Sequence, residues 1–80
     1  MTTETVAIAQ RVDARGLSCP LPIVRTAIAI KTLKTGDLIE VLATDPGSTK
    51  DFTAWAKTTG NELVTSSVTD GVYRFLLRRK

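Results

Sequence analysis

The sequence contains no histidine and only one cysteine, Cys19. Without histidine there is no Cys-His or Ser-His-Asp nucleophile arrangement and no histidine-ligated metal site. With a single cysteine there is no CxxC redox pair, no second thiol to resolve a disulfide within the chain, and no cysteine-rich zinc site. No apolar run approaches the roughly 20 residues that cross a bilayer. These absences exclude a cysteine protease, an intramolecular dithiol redox protein and a membrane-spanning protein, and we expect no bound metal.

The 80 residues contain no internal repeat, no low-complexity segment and no linker. They therefore predict a single domain over residues 1–80, with residues 1–5 expected to be flexible. A domain of this size hides only about 60% of its unfolded surface. Any functional site is consequently expected to be shallow and near an edge.

The N-terminal sequence MTTETVAIAQR resembles no secretory signal, because it lacks a basic opening and a long apolar stretch. A lone thiol also survives best in a reducing compartment. Together these features predict a cytoplasmic protein. The net charge of +3 comes from scattered basic residues, with one short run over residues 78–80 that we interpret as a solvated C-terminus.

Alternating apolar residues predict a first strand over residues 6–14, and the following segment predicts a helix over residues 20–33. The helix is expected to turn one apolar side inward and a more polar side outward. The predicted inward residues are Leu21, Val24, Ala27 and Ile28, widened by Ile23 and Ile30, and the predicted outward residues are Arg25, Thr26, Ala29 and Thr32. Gly36 is expected to stop this helix.

The second half predicts a strand over residues 38–44, buried on most of both faces, and a helix capped by Ser48 with Asp51 in its first turn. This helix is expected to end at Gly60. Two alternating segments around Asp70-Gly71 then predict a β-hairpin. The residues expected to face the core are Phe52, Trp55, Ala56 and Thr59 in the helix and Tyr73, Phe75 and Leu77 in the last strand.

The resulting order is β-α-β-α-β-β, which predicts an α/β (α+β) two-layer sandwich with a four-stranded mixed sheet and both helices on one face. If the first βαβ unit crosses over in the usual right-handed way, the first two strands are parallel. The loops over residues 15–19 and 45–48 would then emerge at the same edge of the sheet.

Cys19 is predicted to cap the first helix, because Pro20 suits the first helical position and Pro22 still lies in the first turn. The positive end of a helix favours a thiolate, so we expect a pKa below the value of about 8.5 of a free cysteine. Arg15 would add to this effect. The alternative is that Cys19 is a buried small hydrophobe or a helix cap without a reactive role.

An activated lone thiolate can attack an electrophilic sulfur and hold the product as a persulfide until another thiol collects it. This chemistry needs exposure, because the sulfur must enter the active site of another protein. Leu17, Ser18 and Leu21 are candidates to frame the docking surface.

The stretch VDARGLSCPLPIVRT, together with GDLIEVLATDPGSTKDFTAWAKTTG and YRFLLRRK, resembles the TusA family of small sulfur carriers, also called SirA-like, over about residues 11–80. The most specific match is the Cys-Pro-x-Pro signature at Cys19, Pro20 and Pro22, preceded by Gly16 and Leu17. Arg25 and Asn61 depart from residues that are frequent in the family.

The resemblance implies a two-layer α/β sandwich and a carrier-type sulfurtransferase. Cys19 would accept sulfane sulfur as a persulfide from a cysteine desulfurase or a rhodanese and relay it to an acceptor protein. Relatives serve tRNA thiolation, molybdenum-cofactor enzymes or sulfur oxidation. The resemblance also implies that Pro20 and Pro22 shape the motif, that Arg15 and Asp45 are docking candidates, and that no organic cofactor is needed.

Two other functions stay open at this point. The protein would be a redox-regulatory thiol if Cys19 formed only mixed disulfides or oxidised forms. It would be an RNA-binding or protein-interaction module if its sheet served recognition. The sequence supports stable nucleic-acid binding poorly, because it has no GxxG clamp and its four aromatic residues fall at predicted core positions.

Overall fold

The computed structural model describes residues 8–80 and contains four strands and two helices in the predicted order β-α-β-α-β-β. The strands are β1 (Ile8–Ala14), β2 (Leu38–Ala43), β3 (Glu62–Thr69) and β4 (Val72–Arg78), and the helices are α1 (Leu21–Ile30) and α2 (Ser48–Thr59). Within this described range neither helix has the length and apolar character that crossing a membrane requires. The predicted flexibility of residues 1–5 and the predicted strand start at residue 6 lie outside the described residues.

The four strands form one mixed sheet in the order β1-β2-β4-β3. β1 runs parallel to β2, with Val12 opposite Val41, whereas β4 pairs antiparallel with both β2 and β3. The predicted parallel pairing and mixed sheet are confirmed. Because β1 and β2 run in the same direction, the loops that follow them leave the sheet at one edge, which we call the loop edge.

The core lies between the two helices and one face of the sheet. Alternate strand residues point toward the helices, as the two-residue period of a strand requires. The buried cluster consists of Val12, Ala14, Ile39, Val41, Ala43, Phe75 and Leu77 from the strands and Ile30, Leu33, Phe52 and Ala56 from the helices and the turn after α1. The ring of Phe52 stacks on that of Phe75 with centroids 4.6 Å apart, which joins α2 to the middle of the sheet.

The other face of the sheet carries charged side chains. Glu40 on β2 accepts hydrogen bonds from Arg11 on β1 and Arg74 on β4, so one carboxylate links three neighbouring strands. Partial burial raises the pKa of Glu40, but the two arginines outweigh this effect and the net pKa is lowered. Leu38 and Leu42 are only half-buried on this face, so the predicted burial of most of both faces of β2 is complete only on its helix side.

The orientation of α1 differs from the predicted one. Its fully or largely buried residues are Pro22, Thr26 and Ile30, whereas Leu21, Val24 and Ile28 are exposed. Ala29, predicted to face outward, packs against the core, while Arg25 and Thr32 are exposed as expected. The predicted inward side of α1 is therefore wrong for Leu21, Val24 and Ile28, whereas Ile30 is buried and Ile23 packs against the core as predicted.

Two features explain this error. Apolar residues occupy about half the circumference of α1, so their pattern alone does not select one inward direction. Thr26 is also buried at low cost, because its Oγ1 donates a hydrogen bond of 2.8 Å to the Pro22 carbonyl oxygen. The helix also ends at Ile30, earlier than predicted, and Gly36 lies in the turn before β2 with φ of 90°.

The remaining elements agree closely with the predictions. α2 buries Phe52 and Ala56, and it ends at Gly60 in the left-handed conformation. Asp70 and Gly71 both have positive φ and form the tight hairpin turn between β3 and β4. The predicted cap of α2 is wrong, because Gly47 occupies that position and Ser48 is the first helical residue.

Candidate functional site

Two loops that are far apart in sequence meet at the loop edge. The backbone N–H of Gly16, after β1, donates a hydrogen bond of 2.8 Å to Oγ1 of Thr44, after β2. Gly16 has φ of 82°, a left-handed conformation that residues with a Cβ rarely adopt. The N–H of Leu17 donates a hydrogen bond of 3.2 Å to the Ala14 carbonyl oxygen. The predicted convergence of these loops is confirmed.

Cys19 is exposed at the start of α1. Pro20, not Cys19, occupies the cap position, and the Cys19–Pro20 peptide bond is cis. The N–H of Leu21 donates to the Ser18 carbonyl oxygen at 2.9 Å, which closes the turn around the cysteine. Pro22 is the second helical residue. An N–H at this position would have no carbonyl acceptor within the helix, so proline costs no hydrogen bond there. The sequence therefore places the cysteine correctly at the mouth of the helix but one residue too close to it.

Two carboxylates lie beside the thiol. Asp51, in the first turn of α2, is placed to accept a hydrogen bond from the Cys19 thiol, and Asp45 is close enough to act on it electrostatically. Both aspartates flank Gly47, where a Cβ would lie 3.3 Å from Asp45 Oδ2 and 3.8 Å from Asp51 Oδ2. Within residues 8–80, neither carboxylate takes part in an ion pair. We call Asp45 and Asp51 the acidic corner.

The acidic corner reverses the predicted effect on the thiol. The hydrogen bond to Asp51, followed by desolvation and by the negative charges of Asp51 and Asp45, raises the pKa of Cys19 above its ordinary value. The predicted lowering of this pKa is therefore wrong. The field at the N-terminus of α1 favours a thiolate, whereas the two nearby carboxylates disfavour it.

Arg15 was predicted to lower the pKa of the Cys19 thiol, but it pairs with another residue instead. Its guanidinium makes two hydrogen bonds to Asp13, from Nε to Oδ1 at 2.8 Å and from Nη2 to Oδ2 at 2.9 Å. These bonds lower the pKa of Asp13 to about 2 and raise that of Arg15. Arg15 is exposed and is a docking candidate by position, but its charge is already matched within its own loop.

The other residues predicted at the site are of two kinds: one is packed against the core and the others are exposed. Leu17 is half-buried and packs against the core, which anchors the loop, whereas Ser18 and Leu21 are exposed around the thiol. The residue that the sequence analysis missed at this site is Asp51. A signal was available, because Asp51 lies in the first turn of the helix whose N-terminus was expected to meet the Cys19 loop.

The surface around the thiol is open. Residues 8–80 form no enclosed pocket, so a small substrate would find no cavity beside the thiol. Across the same part of the chain, no three His, Cys, Asp or Glu side chains come together in a group that could hold a metal ion. What the site offers is one accessible sulfur nucleophile on an open surface.

Comparisons with known proteins agree on one family. The family model described as "Sulfurtransferase TusA" matches residues 10–79. The chain is 49% identical over 70 residues to the sulfur carrier protein TusA of Allochromatium vinosum, a match that covers 88% of this chain and 92% of that protein. A Halobacterium salinarum protein, provisionally named as a sulfur carrier, is 45% identical over 73 residues, and the match covers 90% of each chain.

A solved structure has the same fold. The crystal structure of a SirA-like protein from Desulfitobacterium hafniense superposes with a TM-score of 0.77 at 25% sequence identity. The superposition covers 86% of this chain and 95% of the other. A Bacillus subtilis relative, also provisionally named as a sulfur carrier, is 48% identical over 67 residues, but the match spans only 36% of that longer protein.

Proposed function

Because the chain belongs to the TusA family of sulfurtransferases and sulfur carriers, we propose that Cys19 accepts a sulfane sulfur as a persulfide and relays it to a second protein. The observation that carries this proposal is the exposure of the chain's single thiol at the start of α1, on a surface without a pocket. A carrier has to present its sulfur to two different active sites in turn. An exposed thiol at an edge of a small domain meets that requirement.

Transfer to Cys19 is a thiol–disulfide type of exchange. The Cys19 thiolate attacks the terminal sulfur of a persulfide on the donor protein. The donor S–S bond breaks and its electron pair leaves with the donor thiolate, while a new S–S bond forms at Cys19. The proton of the Cys19 thiol goes to solvent or to the released donor thiolate. Delivery to the acceptor repeats the exchange with Cys19 as the leaving thiolate, so the relay consumes no external oxidant or reductant.

The donor and acceptor supply what this chain lacks. The sequence has no histidine to act as a base, and residues 8–80 form no pocket that could enclose a substrate. We propose a cysteine desulfurase or a rhodanese as the donor. The proposed acceptor is a protein of tRNA thiolation, of molybdenum-cofactor synthesis or of sulfur oxidation. Stable binding of nucleic acid by this chain itself is not expected, because Phe52 and Phe75 are fully buried and offer no surface for base stacking.

Intact-mass measurement tests the proposal. The protein is incubated with a cysteine desulfurase and L-cysteine, and in parallel with inorganic polysulfide, and then weighed before and after reduction. We expect the mass of one sulfur atom to be added and to be lost on reduction. If only glutathione or oxygen adducts form, the protein is a redox-regulatory thiol instead.

A further inference from the structure

The exposed side of α1 is apolar. Leu21, Val24 and Ile28 are 46%, 44% and 63% exposed, and they are three of the four large hydrophobic residues exposed in the part of the chain that the structure describes. At about 100° per residue, the three side chains fall within roughly 60° of the helix circumference. We call these three residues the apolar stripe. Single exposed apolar residues are ordinary, whereas an aligned group on one helix is a candidate interaction surface.

The apolar stripe is continuous with the proposed sulfur-exchange site. It begins at Leu21, two positions after Cys19, and it reaches Ile28 about 10 Å further along the helix. A standard protein interface covers about 800 Å² on each partner, which corresponds to a patch roughly 30 Å across. A patch of that size centred on Cys19 is large enough to include the apolar stripe.

The acidic corner adds a requirement of charge. Asp45 and Asp51 make no ion pair within residues 8–80, and they stand beside a thiol that must lose its proton to react. Burying two carboxylates without a counter-charge under a docked protein is costly. A basic side chain on the partner removes this cost.

We propose that the apolar stripe and the acidic corner form one docking surface around Cys19, and that it takes a sulfur-donor protein whose reactive cysteine is surrounded by an apolar rim and a basic side chain. This inference rests on the proposed function and specifies the partner of the same site. Docking then also activates the thiol. A cation that pairs with Asp45 or Asp51 weakens the negative field at the sulfur, so thiolate formation and partner binding favour each other.

The first test compares an Ile28→Ser variant with a matched Val68→Ser control. Val68 is 57% exposed on β3, so both variants remove an exposed apolar side chain without disturbing the core. Loading of Cys19 is measured by intact mass with two probes, a cysteine desulfurase supplied with L-cysteine and inorganic polysulfide. The readout is the ratio of the two rates, because a change in folding or in thiol chemistry alters both of them.

For Ile28→Ser we expect this ratio to fall about fivefold or more, as for an exposed apolar side chain that docking buries. Val68→Ser should keep the wild-type ratio. An unchanged ratio in Ile28→Ser overturns the docking surface. Wild-type protein that loads from polysulfide but not from the desulfurase, nor from a rhodanese supplied with thiosulfate, also overturns it. Wild-type protein that loads from neither kind of probe contradicts the proposed function itself.

The second test addresses the acidic corner through an Asp45→Asn variant. We expect the ratio of desulfurase to polysulfide loading to fall severalfold, and the wild-type ratio to fall with rising salt concentration more steeply than the variant's. The two effects together support a basic side chain on the partner. Equal ratios and equal salt dependence would remove the acidic corner from the docking surface.

Discussion

The carboxylate of Asp51, a residue of the other helix, is placed to accept a hydrogen bond from the thiol of Cys19 and raises the pKa of that thiol. This contact is possible because parallel pairing of β1 and β2 brings the N-termini of α1 and α2 to the same loop edge. The carboxylate stabilises the protonated thiol and repels the thiolate. We therefore expect the Cys19 thiol of the free protein to be more fully protonated than an ordinary cysteine.

Replacing Asp51 with Asn should make the thiol more acidic. The amide keeps the size of the side chain but removes one negative charge, so the pKa of Cys19 falls. We expect the pH profile of iodoacetamide alkylation to move to lower pH and the rate at neutral pH to rise severalfold. Glu62→Gln is the control, because it removes the same charge at the opposite end of the sheet from the loop edge. A profile that does not move, or that moves to higher pH, contradicts this role of Asp51.

Two lysine substitutions test the orientation of α1. Thr26 is fully buried, so Thr26→Lys places an unpaired charge in the core and should lower the free energy of unfolding by about 3 kcal/mol or more. Ile28 is 63% exposed, so Ile28→Lys should change it by no more than about 0.5 kcal/mol. Urea unfolding of the two variants measures both effects. The reverse order would show that the apolar stripe faces the core, as the sequence pattern alone suggests.

The pairing of Asp13 with Arg15 predicts an acidic titration. The folded-state pKa of Asp13 is lowered from 3.8 to about 2, so the contribution of this pair to stability is present above 3.8 and is lost as the pH falls through about 2. A pH titration of the carboxyl carbon by NMR should give this low value. In Arg15→Gln it should return toward 3.8. Titration of wild-type Asp13 near its ordinary value would contradict the pairing.

Most of the fold follows from local sequence signals. The alternating residues predict the strands β2 and β4, because a two-residue period is typical of a strand. The turn at Asp70-Gly71 predicts the hairpin, because few residues adopt a positive φ. The orientation of α1 does not follow from such signals. Its apolar residues cover too much of the circumference, and the hydrogen bond that allows Thr26 to be buried is visible only in three dimensions.

The candidate site shows the same division. The position of Cys19 and the meeting of its loop with residues 44–47 follow from the prolines and from strand topology. The sign of the pKa shift does not, because it depends on how close side chains from two separate elements approach. Asp51 contributes the largest effect from α2, and Arg15 contributes none because Asp13 already holds it. From its sequence position, Arg15 was expected to lower the pKa of Cys19. Its pairing with Asp13 in the same loop prevents this.

The most direct test of sulfur transfer through Cys19 is the loading of a Cys19→Ser variant by a cysteine desulfurase with L-cysteine, followed by intact mass. Cys19 is exposed, so serine should leave the urea unfolding curve unchanged within about 0.5 kcal/mol. We predict one reductant-labile sulfur on the wild-type protein and none on the variant. A folded variant that still gains such a sulfur would rule out transfer through Cys19.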